Sequence, residues 1–161
     1  MYRFLADDGS PARKPFTCAS ECDEHMIAKW NEVVKPSDKV YHLGDVAIKR
    51  KDISVMSRLN GKKVLIRGNH DIFELSDYTP YFYDVRGSHK LNDFILSHYP
   101  LHPESIKTKW CKGNIHGHVH LRSLVNSPQY FNASVEMIQY TPKPLEEITA
   151  HFNSIQSELN K

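Results

Sequence analysis

The chain has 161 residues, with 21 Lys and Arg against 19 Asp and Glu, for a formal charge of +2. That length suits one ordinary domain spanning 1–161, and a charge so near neutral, with no basic block longer than Lys49-Arg50-Lys51, does not by itself indicate nucleic-acid binding. Hydrophobic residues make up 40%, and no run reaches the roughly 18 to 20 apolar residues a membrane span needs. Asp7 and Asp8 interrupt the N-terminal segment before a secretory apolar stretch forms, so a cytoplasmic location is expected. Cys18, Cys22 and Cys111 fit no disulfide framework or repeated zinc pattern and read as reduced thiols.

In chain order, Tyr2 to Ala6 predicts an opening strand, and residues 10–18, with Pro11 and Pro15, a loop. A helix capped by Ser20 follows, its apolar stripe formed by Cys22, Met26, Ile27, Trp30, Val33 and Val34. Pro36-Ser37-Asp38 stops it. Residues 39–43 then read as a strand leading into Gly44-Asp45, 52–59 as a short helix, and 64–66 as a buried parallel strand ending in Gly68-Asn69-His70-Asp71. Pro80 makes the aromatic stretch from Tyr78 to Tyr83 irregular. Residues 93–96 predict a strand delivering Ser97-His98-Tyr99-Pro100, and 113–116 a weaker one leading into Gly117-His118-Val119-His120. Tyr130 to Tyr140 reads as a strand, with a hairpin spanning 112–137, and Pro144 opens a final helix striped with Leu145, Ile148, Phe152, Ile155 and Leu159. The alternation of strands and helices places the chain in the α/β class.

Polar clusters recur immediately after predicted strands: Asp45, Asn69-His70-Asp71, His98 and His118-Val119-His120. In an open α/β sheet the C-terminal ends of parallel strands face one crevice, where residues distant in sequence converge. Carboxylate, amide oxygen and imidazole together suit divalent first-row metals such as Mn, Fe, Ni or Zn. A carboxylate between two cations can bridge them, and Asp45 is the candidate. Gly44, Gly68 and Gly117 precede the polar residues, where a missing Cβ permits sharp turns and close approach. His42 reads as scaffold and Trp30 as core.

These segments, Val40-Tyr41-His42-Leu43-Gly44-Asp45, Ile66-Arg67-Gly68-Asn69-His70-Asp71, Ser97-His98-Tyr99-Pro100 and Gly117-His118-Val119-His120, resemble the calcineurin-like metallophosphoesterase family, in particular its small bacterial and phage members. The resemblance implies an αββα sandwich of two mixed sheets flanked by helices. It also implies a site for up to two divalent cations, with Mn²⁺ favoured, and hydrolysis of phosphoesters by metal-activated water. By the same resemblance Asp45 bridges the cations, Asn69, His98 and His118 complete one site, and Asp7 and His120 serve the other. His70 matches the catalytic histidine that assists the leaving group, and Asp71 its orienting partner. Arg67 and Arg122 are candidate phosphate-binding residues, because a guanidinium fork suits phosphate.

The first motif departs from the family, which places Asp-x-His after the opening strand and another Gly-His soon after; here the stretch is Asp7-Asp8-Gly9-Ser10-Pro11. Gly9 has no side chain to coordinate with, so one cation site is expected to be weak. The expected substrate is a phosphodiester or a small phosphorylated compound, including nucleotides. The alternatives are a catalytically weakened or inactive descendant that binds metal or phosphate, and a nuclease acting on nucleic-acid ends.

Overall fold

The computed structural model describes residue 9, residues 16–122 and residues 127–159. The predicted opening strand and Asp7 lie outside the described residues. The chain is α/β, with two sheets flanked by helices. The first sheet has the order β1 (Lys39–His42), β2 (Lys62–Ile66), β3 (Asp84–Arg86), and its described pairings are parallel. The second has the order β4 (Ser88–Leu91), β5 (Phe94–Ser97), β6 (Gly113–His116), β7 (Tyr130–Asn132) and is mixed. β4 pairs antiparallel with β5, whereas β5–β6 and β6–β7 are parallel. The helices are α1 (Ala19–Val33), α2 (Leu75–Tyr78), α3 (Pro103–Ile106) and α4 (Leu145–Leu159), with a 3₁₀ helix at Arg50–Arg58. Among the described residues no helix is long and apolar enough to cross a membrane.

β2 sits at the centre and buries both faces, which explains its continuous aliphatic run. Leu65 packs with Ile27 of α1, Ile53, Met56, Leu59, Tyr78 and Phe82. Val64 and Ile66 point the other way, into a cluster with Phe94 and Leu96 of β5, Ile115 of β6, and Ile148 and Phe152 of α4. Burial on this scale contributes roughly 1.5 to 3 kcal/mol for each fully buried aliphatic or aromatic side chain. A strut of Tyr41, His89 and Arg86 joins the sheets as well: the Tyr41 hydroxyl is 3.3 Å from His89 Nε2, and Arg86 Nη1 is 2.6 Å from His89 Nδ1.

Several local expectations change. The cap of α1 is Cys18 rather than Ser20, and Thr17 ties the entry by donating from its amide and hydroxyl to Glu21 at 2.7 Å. Val33 lies off the buried stripe at 45% exposure, whereas Val34 is buried. Trp30 packs against the core and donates from Nε1 to the Asn60 carbonyl. The segment 112–137 is not a hairpin, because β6 and β7 run parallel; the two-residue hairpin instead joins β4 and β5 through Asn92, whose φ of 51° suits asparagine. The strand expected to reach Tyr140 ends at Asn132, and turns follow, with Gln139 and Tyr140 at positive φ.

Candidate metal centre

The two sheets present their strand ends to one place. Asp45 follows β1 and Asn69 follows β2, adjacent parallel strands in register at His42 and Leu65. His98 follows β5 and His118 follows β6, paired at Ser97 and His116, and the Gly117 amide extends that ladder by donating to the His98 carbonyl at 3.1 Å. The strand order therefore converts four distant segments into one cluster.

His98 stands at its centre, 3% exposed. Its Nε2 lies 2.9 Å from Asn69 Oδ1, 3.1 Å from His118 Nδ1 and 3.4 Å from Asp45 Oδ2. Ligand atoms of Asp45, His98 and His118 all fall within 4.8 Å of one another, so the group can hold a metal ion. The Nδ1 of His98 faces the Leu43 carbonyl at 2.7 Å and donates to it. That bond leaves Nε2 of the neutral ring as an acceptor, pointed at a carboxylate oxygen and two further donor atoms. A carboxylate oxygen, an amide oxygen and two imidazole nitrogens gathered in this way suit a divalent cation. Ligands held about 2.0 to 2.2 Å from a cation stand roughly 3 to 3.5 Å apart, and the spacings here match.

The backbone carries strain at these positions. Asp45, His118 and His120 have φ of 56°, 67° and 51°, conformations that a non-glycine residue holds only when its surroundings enforce them. Gly44 and Gly68 supply the close approach: a Cβ on Gly44 would lie 2.5 Å from the Gly68 amide, and one on Gly68 would lie 2.3 Å from Asp45 Oδ1. Gly117 is different, because a Cβ there meets nothing nearer than 3.5 Å. Burial lowers the pKa of His118, with neighbouring His98 acting in the same direction, which favours the neutral, coordinating ring.

Asp71 does not orient His70 as expected. Its carboxylate, 2% exposed, accepts from the backbone amides of Asp45 and Gly68 through Oδ2, at 2.8 Å each, and from Val46 through Oδ1 at 2.9 Å. These bonds clamp the loop that aims Asp45. Asp45 in turn accepts from the His70 amide through Oδ1 at 2.9 Å. The His70 imidazole is exposed beside the cluster and has no hydrogen-bond partner among the described residues.

Arg67 spends part of its guanidinium on the turn that follows it. Its guanidinium donates to the Asp71 carbonyl through Nε and Nη2 and to the Phe73 carbonyl at 3.0 Å, and it lies over the Tyr78 ring. Arg122 is exposed, with its amide bonded to the Val119 carbonyl and its own carbonyl accepting from Asn132. His120 stands apart from the Asp45–His98–His118 group; its Nδ1 lies 3.1 Å from Glu136 Oε1, a carboxylate 2% exposed.

Sequence reading missed Asn114. This β6 residue is fully buried; it donates to the Ile95 carbonyl and Ser97 Oγ at 2.8 Å and accepts from the Leu101 amide at 2.9 Å. Ser97 passes the restraint on, donating to the Tyr99 carbonyl at 2.6 Å. The His98 loop is thereby held from both ends. The available signal was an asparagine beside Ile115 inside a predicted strand.

No family model matches the chain. It is 34% identical over 149 residues to the uncharacterized protein MJ1445 of Methanocaldococcus jannaschii, an alignment covering 84% of this chain and 77% of that protein. The chain belongs to the family of that archaeal protein. Among solved structures it is similar to a protein of unknown function from Aquifex aeolicus, AQ665, with a TM-score of 0.60 and 27% identity over 80% of this chain and 83% of the other. The likeness in fold is thus to the Aquifex aeolicus protein, and the likeness to the archaeal protein is in sequence.

Proposed function

We propose that the chain is a cation-dependent phosphoesterase of the calcineurin-like metallophosphoesterase type, built on an αββα sandwich. The observation that carries this reading is the convergence of Asp45 Oδ2, Asn69 Oδ1 and His118 Nδ1 on the lone pair of His98 Nε2. A divalent cation held there, with Mn²⁺ favoured and Fe, Ni or Zn compatible with the same donors, supplies Lewis acidity toward a phosphoryl oxygen and lowers the pKa of a neighbouring water.

The chain's own residues do the rest. The Leu43 carbonyl fixes the tautomer of His98, and Asp71 fixes the path of the loop bearing Asp45. His70 is anchored by its amide to Asp45, which leaves its exposed imidazole beside the cluster to pass a proton to the departing oxygen. His120, steadied by Glu136, extends the donor set toward a second, weaker position.

The test is hydrolysis of bis(p-nitrophenyl) phosphate by the Mn²⁺-loaded protein. The rate rises with Mn²⁺ and is lost in His70→Ala, whose metal content stays near that of the wild type. A rate indifferent to Mn²⁺ or to His70→Ala overturns the reading.

A second reading, a cation- or phosphate-binding protein without hydrolytic activity, is favoured by Gly9. It has φ of 79° and open space around its Cβ position, so it offers no ligand where the resembling family has histidine. Complete inactivity of the metal-loaded wild type would support it.

A further inference from the structure

Each loop that carries a site residue also carries an exposed apolar side chain close by. Ile48, 47% exposed, follows Asp45; Ile72 and Leu75, 75% and 52% exposed, follow His70; Tyr99, 48% exposed, follows His98; Leu121, 43% exposed, follows His120. Exposed apolar side chains are ordinary on a protein surface, so what singles one out is its position against the polar centre.

Tyr99 is the best placed of them. Its ring stands edge-on to His118, with centroids 4.5 Å apart, and to His98 at 5.0 Å. Ser97 and, behind it, Asn114 pin its backbone, and about half of the residue's surface is open. Among the described residues the cations on these segments are few: the Arg67 guanidinium donates to backbone carbonyls, Arg50 pairs with Asp77 while lying over the Phe73 ring, and Lys49, Lys51 and Arg122 are exposed. A polyanion contacts many phosphates and needs many free cations. A single phosphate carrying an apolar group needs only the cation and an apolar wall.

Resting on the phosphoesterase reading, we propose that the site takes small phosphoesters bearing an aromatic group, and that Tyr99 is the residue that selects for that group by packing against it. An offset or edge-to-face ring pair contributes about three- to tenfold in affinity.

The experiment is calorimetric titration of Mn²⁺-loaded protein with phenylphosphonate and with methylphosphonate, which share the anionic head and differ only in the ring. The wild type binds phenylphosphonate about three- to tenfold more tightly. Tyr99→Ala removes this preference while leaving methylphosphonate affinity and Mn²⁺ content unchanged, and Tyr99→Phe retains it. Equal affinities in the wild type overturn the inference, as does an equal loss for both ligands in Tyr99→Ala, which would make Tyr99 a prop for His118. Hydrolysis of phosphodiesters without any aromatic preference would sink this inference and leave the phosphoesterase reading standing. Aromatic preference in a protein that hydrolyses no ester would do the reverse.

Discussion

The carboxylate of Asp71 accepts the backbone amide of Asp45 at 2.8 Å, although the two residues are 26 positions apart in the chain. With its bonds to Gly68 and Val46, this contact makes Asp71 the clamp between the loops after β1 and β2. Asp71→Asn places an NH₂ group against at least one backbone N–H, so a buried donor loses its acceptor. The expected cost is on the order of 1 to 3 kcal/mol of stability. Mn²⁺ affinity should fall about 10- to 100-fold, since Asp45 is no longer aimed. Urea denaturation and a Mn²⁺ titration measure both. An Asp71→Asn protein that binds Mn²⁺ normally and loses only turnover would restore Asp71 to the role of orienting His70.

Asn114→Ala removes the restraint on the His98 loop from beneath. The Leu101 amide and Ser97 hydroxyl lose their partner in a buried setting, so the fold should lose about 1 to 3 kcal/mol. Mn²⁺ binding should weaken as well, through greater freedom of His98. The readouts are the urea midpoint and Mn²⁺ affinity at a temperature where the variant remains folded. Unchanged affinity in a destabilised variant would show that Asn114 supports the sheet alone.

Acid should destabilise the metal-free protein. Burial lowers the pKa of His116, which is 1% exposed, and burial with Arg86 and Lys39 lowers that of His89, against an opposing pull from Asp84. In the unfolded chain both titrate near 6.5. As the pH falls below that value, the unfolded state takes up protons that the folded state refuses, so stability is full above about 6.5 and declines through the lowered folded-state values. Urea midpoints between pH 8 and pH 5 should fall with pH, less steeply in His116→Gln. A midpoint that rises on acidification contradicts this assignment.

Much of the site's membership was legible because Gly-Asp, Gly-Asn-His-Asp, Ser-His-Tyr-Pro and Gly-His-Val-His each follow a predicted strand. The strand ends then place Asp45, Asn69, His98 and His118 together. The division of labour within a motif was not legible. Asp71 adjoins His70 in sequence, yet its carboxylate turns to two backbone amides of the neighbouring loop, Asp45 and Val46, and to that of Gly68 in its own loop. Arg67 likewise serves carbonyls created by the turn that follows it. β3 and β4 escaped prediction because Asp84-Val85-Arg86 and Ser88-His89-Lys90-Leu91 lack a strong apolar signature and are held by pairing with β2 and β5. The same limit applies to β7, where only Tyr130-Phe131-Asn132 pairs and the apolar residues beyond it enter turns.

On the proposed reading one divalent cation sits among Asp45, Asn69, His98 and His118. Crystals grown with Mn²⁺ and measured at the manganese absorption edge decide this. An anomalous peak is expected about 2.0 to 2.2 Å from His98 Nε2 and His118 Nδ1, also contacting Asp45 Oδ2 and Asn69 Oδ1, and absent in His98→Ala. Manganese bound elsewhere, with His98 Nε2 hydrogen-bonded to Asn69 and no peak between them at saturating Mn²⁺, would contradict it.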